Sequence, residues 1–385
     1  MPRSAFRGLP PCFVFDMGQG YNIMVQCVTD ESARFAARSL GRSLMGDSVL
    51  VYGSGRIARA IAAALSRSGC AVTIAARRLD HASACARAVG AAGCFAGEPA
   101  SVLNDDRARS VTAIVNAAGP YSDTAPPLIG AAVGRGVDYL DAANEVEAFM
   151  AAFAAQPAAV AARTRVLPGL GFGVAAAEAV VAAACSQLLE VESVEVMFAS
   201  SGGPSTTGSR ATALRVLSHG AWIIETWRLR RVPVGTSPRD LRAANGSAEP
   251  LMPILNGDLL ALHRSQRAPS IAVYASGTTH VRRARLALPA VVNILRNSAM
   301  RRLLGALSSP RPAGDPSSRT VTAAVTSASG ITVHMSHTVP DTSSLVADLI
   351  VSALKAIQTG DVAPGTWTPY EALGEQRLRA LLGMD

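Results

Sequence analysis

Two glycines that follow an apolar run are the residues of this chain with the clearest chemical use. Val49 to Tyr52 is apolar and leads into a Gly-x-Gly-x-x-Ala pattern, Gly53-Ser54-Gly55-Arg56-Ile57-Ala58. Such spacing is typical of a strand-to-helix turn that binds a dinucleotide, because glycine permits both the tight turn and the close approach of a pyrophosphate. We therefore predict that residues 53–57 contact the phosphates of a bound cofactor. A glycine turn with only a steric role is the alternative.

The next strand-like run, Ala71 to Ala75, is followed by Arg77 and Arg78 and by no acidic residue. A site selective for NAD places Asp or Glu there to bind the ribose 2′-hydroxyl, whereas arginine suits a 2′-phosphate. The sequence therefore favours NADP(H), with Arg77 and Arg78 as cofactor-binding residues. Two arginines that merely end an exposed strand are the alternative.

The elements that position these residues alternate regularly between strand and helix. Strands are predicted at 48–52, 71–75, 111–115 and 138–140, and helices at 55–68, 80–89, 127–134 and from Glu145 to a break at Pro157. This alternation predicts an α/β Rossmann domain, with a doubly wound and mostly parallel sheet that binds ligands at the carboxyl ends of its strands. Residues 1–47 form an extension of unknown role, with a strand at 21–28 and a helix at 31–40.

Beyond Val166 to Phe172 strand-like runs dominate, at 191–199, 270–276, 320–326 and 331–339, with a hairpin turn at 328–330. They predict a second α+β domain, for substrate or dimerisation, with a more antiparallel sheet. The predicted boundaries are 48–169 for the Rossmann domain and 170–344 for the second domain. Residues 345–359 are helical, so that 345–385 would complete the first domain.

Composition excludes several classes of function. The 385 residues carry a net charge of +8, but Lys355 is the only lysine and the arginines are dispersed among few aromatic residues, which argues against nucleic-acid binding. Val351 stands where a Tyr-x-x-x-Lys pair would need its tyrosine, and this excludes the mechanism of short-chain dehydrogenases. Six cysteines without Cys-x-x-Cys spacing indicate reduced thiols and a cytoplasmic protein. No run of about 18 apolar residues predicts a transmembrane segment.

Several motifs carry a family resemblance. They are Asn116-Ala117-Ala118-Gly119-Pro120-Tyr121, Asp138 to Glu145, Leu167-Pro168-Gly169-Leu170-Gly171-Phe172, Thr206 to Ser209, and Ala363 to Pro369. From about residue 48 to the end, the chain resembles the saccharopine dehydrogenase-like NADP-binding oxidoreductases, and it is most similar to their trans-acting enoyl reductase branch. The resemblance implies an NADP-dependent enzyme of secondary metabolism. Asn144, Gly173 and Thr207 depart from the family's glycine, aspartate and arginine, so the substrate-facing half has diverged.

The remaining candidate site residues lie at predicted strand ends and in the second domain. Asn116, Ala117, Ala118 and Gly119 are predicted to line the nicotinamide-ribose side of the cleft, and Tyr121 is nominated as proton donor. Asp141 and Glu145 would share one face of a helix, and with Phe172 and Arg210 they are the candidate substrate residues. No histidine pair has metal-binding spacing, so no metal is predicted.

These observations predict an NADPH-dependent oxidoreductase that reduces a C=C or C=N bond of a small metabolite or of a carrier-bound acyl group. One alternative is a saccharopine- or opine-type amino-acid dehydrogenase, which would need a carboxylate clamp such as Arg210 and Arg215. Another is a cofactor-binding protein without activity. The segment 281–307, with arginines among apolar residues, leaves a peripheral membrane contact open, with a surface helix that packs on the second domain as the alternative. A homodimer is also left open.

Overall fold

The structure is a computed structural model. It describes residues 12–16, 22–26, 47–200, 207–241, 249–266, 268–277, 287–307 and 318–384. The strands β1 (Cys12–Asp16) and β2 (Asn22–Gln26) form a separate antiparallel pair. The helix predicted at 31–40 lies outside the described residues.

A seven-stranded sheet in which every pair is parallel forms the first layer. Its strands are β3 (Ser48–Tyr52), β4 (Ala71–Ala76), β5 (Gly93–Ala96), β6 (Ala113–Asn116), β7 (Asp138–Asp141), β8 (Arg165–Leu167) and β16 (Gly365–Thr366). The spatial order is β16-β8-β7-β6-β3-β4-β5. The order reverses between β3 and β6, so their carboxyl ends border the crevice where doubly wound sheets bind ligands.

Helices follow these strands as the alternation predicted. They are α1 (Arg56–Arg67), α2 (Leu79–Val89), α3 (Tyr121–Arg135), α4 (Val146–Ala154), α5 (Gln156–Ala161) and α6 (Phe172–Cys185). Between Phe172 and Ala184, α6 is buried on nearly all sides, Glu178 included, which explains its uniformly apolar sequence. It is a core helix that packs on the second sheet and against the C-terminal helices.

The second sheet is mixed and mostly antiparallel, in the order β11-β10-β13-β9-β14-β15, with β12 paired to β13. Its strands are β9 (Val191–Ser200), β10 (Trp222–Glu225), β11 (Arg228–Arg231), β12 (Glu249–Pro253), β13 (Ser270–Gly277), β14 (Arg319–Ser327) and β15 (Thr332–Val339). Only β13 and β9 run parallel. Its helices are α7 (Thr207–Ser218), α8 (Gly257–Gln266), α9 (Leu288–Arg296) and α10 (Ser298–Leu307). The hairpin predicted at 328–330 is confirmed by the pairing of β14 with β15.

The C-terminal segment returns to the first sheet. Helix α11 (Thr342–Gln358) packs along α1, β16 joins the edge of the parallel sheet, and α12 (Pro369–Leu382) packs on α6. One carboxylate oxygen of the buried Glu178 accepts a hydrogen bond from the Tyr370 N–H at 2.9 Å, in the first turn of α12. This arrangement supports the proposed completion of the first domain by residues 345–385.

Two predicted details of the first domain are wrong. Helix α3 begins at Tyr121, six residues before the predicted Pro127, because Pro126 and Pro127 remove individual hydrogen bonds without ending this helix. Asp141 and Glu145 do not share a helix face, since Asp141 ends β7 and Glu145 is the extended N-cap of α4. The loop between them, not a helical repeat, sets their separation.

Candidate functional site

The glycine turn lies where the carboxyl ends of β3 and β6 meet. Gly53 has φ +135°, and a Cβ there would come within 2.8 Å of the carbonyl carbon and oxygen of Ala117. The Ala117 N–H donates to the Tyr52 carbonyl at 2.8 Å, and the Gly53 N–H donates to the Ala75 carbonyl at 2.8 Å. Only glycine fits this junction, which therefore brings the ends of three strands together.

Beyond the turn, the N-terminus of α1 faces open space. Gly55 is its N-cap, no side chain caps it, and its first turn contains no acidic residue. A Cβ at Gly55 would meet no atom within 4 Å. The unpaired N–H groups and the positive end of the helix dipole can therefore bind an anion, with Ser54, Arg56 and Ile57 beside it.

The two arginines after β4 are both exposed, but their contacts differ. The Nε of Arg78 donates to the Asp80 carboxylate at 3.1 Å, and this hydrogen bond holds the pKa of Asp80 at about 2. Arg77 makes no ion pair or hydrogen bond to another described residue. Arg77 is thus the arginine available to a phosphate at this strand end.

Asn116 closes the end of β6 from inside the protein. Its fully buried amide donates to the Thr124 hydroxyl at 3.0 Å and to the Tyr139 hydroxyl at 3.1 Å, and its oxygen accepts from the Ala118 N–H at 3.1 Å. Ala117, Ala118 and Gly119 retain solvent contact. Asn116 therefore acts as a residue that positions the loop, and only 117–119 can touch a cofactor.

Three ionisable side chains meet at the ends of β6 and β7. Asp141 is fully buried and accepts from the N–H groups of Ala143 and Gly169 at 2.9 Å and from the Tyr139 hydroxyl at 2.7 Å. Burial raises its pKa to about 6. The Glu145 carboxylate accepts from the Tyr121 N–H at 3.4 Å. Burial and these two carboxyl groups raise the pKa of the Tyr121 hydroxyl, which stays protonated at neutral pH.

A second buried carboxyl joins the two domains. Asp258, in the first turn of α8, accepts from the side-chain amides of Asn144 at 3.1 Å and Asn256 at 2.6 Å. Its other oxygen, Oδ1, has no hydrogen-bond partner among the described residues and would lie 3.0 Å from a Cβ on Gly173. Burial raises the pKa of Asp258 to about 7. Asn144 and Gly173, both departures from the family pattern, are therefore part of one contact.

Arg319, at the start of β14, was not identified from the sequence. Its Nε is buried without a hydrogen-bond partner among the described residues, and burial together with the charge of Arg56 lowers its pKa. The acidic residue near this pair is Asp341, whose carboxylate already accepts from the Ser343 N–H at 2.8 Å and the Ser344 hydroxyl at 2.7 Å. Arg319 of the second domain thus lies near enough to Arg56, at the N-terminus of α1, for the two charges to influence each other.

Two residues, Arg319 and Asp258, were not identified from the sequence, and only one of them had a recognisable signal in it. Arg319 is one arginine among many, and nothing near it in the chain indicates a partner at Arg56. Asp258 had a usable signal, because Asn256-Gly257-Asp258 before an apolar run is typical of a helix N-terminus. Asn256 indeed caps α8 by accepting from the Leu259 N–H at 3.2 Å.

The candidate substrate residues outside the first domain are Phe172 and Arg210, with Arg215 as the second arginine of a carboxylate clamp. Phe172 is buried in the core, edge-on to Phe198 with ring centroids 5.9 Å apart. Arg210 lies on α7, and its side chain is outside the described part of the structure. Arg215 pairs with Glu147 at 2.9 Å and Asp123 at 3.7 Å, so its charge is compensated and it is a poor substrate clamp.

Within the described ranges, no group of three or more His, Cys, Asp or Glu residues is arranged to hold a metal ion. In the same part of the chain, no helix has the length and apolar character needed to cross a membrane.

Known proteins resemble this chain in its first domain and in its fold. Residues 49–167 match the family model of the saccharopine dehydrogenase NADP binding domain. The structure of apo saccharopine dehydrogenase (L-Glu forming) from Saccharomyces cerevisiae is 15% identical, covers 88% of this chain and 96% of that chain, and superposes with a TM-score of 0.56. GenD2 from gentamicin A biosynthesis, in complex with NAD, is 15% identical over 91% of this chain and 96% of its own, with a TM-score of 0.46. At such identities the likeness is one of fold. Among curated proteins, none matches the sequence significantly.

Proposed function

Starting from a chain whose residues 49–167 are a saccharopine dehydrogenase-like NADP-binding domain, we propose an NADPH-dependent oxidoreductase that reduces a C=C or C=N bond. The substrate would be a small metabolite or a carrier-bound acyl group. The observation that carries the proposal is the open N-terminus of α1 behind Gly53 and Gly55, with Arg77 unpaired at the neighbouring strand end. Bound NADPH supplies a hydride to the substrate.

The described residues fit each part of this cofactor. The first turn of α1, with Ser54 to Ile57, and the arginine pair Arg56 and Arg319 would hold the diphosphate. Arg77 would hold the 2′-phosphate. The solvent-accessible backbone at 117–119 would line the nicotinamide ribose, held in place by the buried amide of Asn116.

Tyr121 is our candidate proton donor. It begins α3 directly after this backbone segment, and its hydroxyl stays protonated because burial and the carboxyl groups of Asp141 and Glu145 raise its pKa. In that state it can donate a hydrogen bond to an oxygen or nitrogen of the substrate and polarise the bond to be reduced. Replacing Tyr121 by Phe would then lower turnover without changing the affinity for NADPH.

The amino-acid dehydrogenase alternative is less well supported. It requires arginines free to bind a substrate carboxylate, and Arg215 is already engaged by Glu147 and Asp123. A cofactor-binding protein without activity is the third hypothesis.

A cytoplasmic location, an acyl carrier as partner and a homodimer also stay predictions. The cytoplasmic location is supported by the free thiols of Cys70, Cys85, Cys94 and Cys185.

Two measurements test the proposal in order. Fluorescence titration of the full chain should give NADPH binding at about micromolar concentration, and no binding there would refute the cofactor assignment. Purified protein is then incubated with NADPH and either enoyl thioesters or a mixture of 2-oxo acid and amine. Loss of NADPH absorbance with the enoyl thioesters supports reduction of C=C, and loss only with the amine mixture supports the amino-acid alternative. Tight binding without consumption of either would favour the inactive protein.

A further inference from the structure

Two consecutive helices of the second domain carry a concentration of exposed apolar side chains. In α9, Val291 is 42% and Ile294 50% exposed, and in α10, Met300, Leu303 and Leu304 are 38%, 51% and 36% exposed. We call these five side chains the α9–α10 face. The other large apolar side chains exposed in the described part of the chain, Leu79, Val160, Leu189 and Ile331, are scattered singly. Scattered residues need no explanation, whereas several exposed apolar side chains on two consecutive helices indicate an interaction site.

The face has the geometry of an amphipathic surface and not of misplaced core residues. Val291 and Ile294 are three apart in α9, and Met300, Leu303 and Leu304 have the spacing i, i+3, i+4 in α10, so each set shares one side of its helix. The adjoining side of α9 is already packed, with Val292 3% and Leu295 1% exposed, and both helices contact α7. The protein therefore anchors these helices from one side and leaves the α9–α10 face outward.

The segment of chain that carries the face is rich in arginine and has no acidic residue. No Asp or Glu occurs between Asp258 and Asp315, a segment that contains nine arginines. Arg296 is exposed at the end of α9. Arg301 lies in α10, and its guanidinium donates to the carbonyls of Leu295 at 2.6 Å and Arg296 at 3.0 Å. A partner that covers this face must accept apolar side chains and positive charge together.

From this combination we propose that the α9–α10 face binds the surface of an anionic lipid membrane. A second copy of the chain fits poorly, because a two-fold contact would bring the same arginines of both copies together. A protein partner is also disfavoured, since protein interfaces rely on aromatic anchors and residues 287–307 contain no aromatic residue. An anionic membrane accepts both the apolar side chains and the positive charge. The aliphatic side chains can enter the boundary between headgroups and acyl chains, and the arginines can lie beside anionic headgroups.

The experiment is sedimentation of the full chain with vesicles. Vesicles of phosphatidylcholine alone are compared with vesicles in which about one third of the lipid is phosphatidylglycerol, at low and at high salt. We expect binding to the anionic vesicles, weaker binding at high salt, and little binding to phosphatidylcholine alone. Ile294→Ser combined with Leu303→Ser should weaken binding about tenfold or more, because each exposed apolar side chain contributes by the area it buries.

A matched control separates the face from general surface effects. Leu189→Ser combined with Ile331→Ser removes two apolar side chains elsewhere that are more exposed than Ile294 and Leu303, and this variant should bind vesicles as the unchanged chain does. Arg296→Gln should weaken binding and reduce its dependence on salt. Thermal unfolding of each variant, followed by circular dichroism, shows that it is folded, and this readout is independent of the proposed cofactor and activity.

Three outcomes would overturn the proposal. The unchanged chain fails to sediment with anionic vesicles at low salt, or the two double variants lose binding equally. The third is the absence of vesicle binding together with a concentration-dependent dimer in sedimentation velocity. If the double variant Ile294→Ser with Leu303→Ser abolished that dimer, the face would bind a second copy of the chain.

Discussion

At the scale of single residues, Arg77 and Arg78 show why neighbouring identical side chains need not share a role. Both are exposed at the end of β4, but Asp80 engages Arg78 and leaves Arg77 without a described partner. A charge that is already paired has less to offer a phosphate, because a new contact must compete with the existing one. We therefore propose Arg77 as the residue that would make the site selective for NADPH.

This assignment predicts the effect of Arg77→Gln. Hydrogen bonds to charged groups contribute about 1.5–3 kcal/mol, so the Kd for NADPH should rise about 10- to 100-fold while that for NADH changes little. Fluorescence titration with both cofactors measures the two constants. Arg67→Gln is the control, since Arg67 is an exposed arginine at the opposite end of α1. An equal loss of affinity for NADH would show that Arg77 does not contact the 2′-phosphate.

At the scale of elements, the loop between β7 and α4 connects the two domains through side chains. Asp141 bonds to the backbone after β8, and Asn144 bonds to Asp258 in the first turn of α8. The free Oδ1 of Asp258 lies beside Gly173, where any larger residue would need that carboxyl to move. The contact therefore depends on this combination of residues. It also contains the buried carboxyl group of Asp258, whose ionisation is unfavourable.

The pKa of Asp258 predicts how stability depends on pH. Burial raises it to about 7 from an ordinary 3.8, so the folded state holds this proton more tightly than the unfolded state does. The resulting stability is present at low pH and is lost as pH rises from about 4 to about 7, by at most about 4 kcal/mol. Thermal unfolding should show a melting temperature that falls between pH 5 and pH 8, and Asp258→Asn should reduce this fall.

The melting temperature of Asp258→Asn should still depend on pH, because burial raises the pKa of Asp141 and of Glu178 as well. Asp348→Asn, at an exposed carboxyl on α11, should keep the slope of the unchanged chain. If Asp258→Asn and Asp348→Asn gave the same pH profile, Asp258 would not be a source of the pH dependence.

At the scale of the whole molecule, the proposed diphosphate site draws on both domains. Arg56 comes from the first turn of α1 and Arg319 from the first residue of β14, and the charge of Arg56 lowers the pKa of Arg319. Two like charges repel each other, and a diphosphate bound by both would offset that repulsion. Binding of the cofactor would thereby hold the second domain against the first.

Arg319→Gln tests this contribution. It should raise the Kd about tenfold for NADPH and equally for NADH, since the diphosphate is common to both, and it should weaken the dependence of binding on salt. This distinguishes it from Arg77→Gln, which affects NADPH alone. The control is Arg228→Gln, an exposed arginine on β11 of the same sheet. Unchanged affinities in Arg319→Gln would restrict the site to the first domain.

The sequence by itself determined the parallel sheet, the glycine turn and the arginines at the end of β4. These features are local: a turn that requires Gly53, a helix that follows it, and strand and helix periods that repeat within a few residues. It also indicated the hairpin at 328–330 and the more antiparallel second sheet. In each of these cases the physical cause lies within a short stretch of chain.

Only the tertiary structure decided which polar groups meet. Asn116 turned inward to hold the loop, Asp141 and Glu145 met through a loop and not a helix face, and Asp258 and Arg319 joined the first domain from 114 and 263 residues along the chain. Long-range contacts of this kind depend on how the sheets and helices pack, which no local pattern records. The open end of α1 behind Gly53 was therefore predictable, whereas the groups that surround it were not.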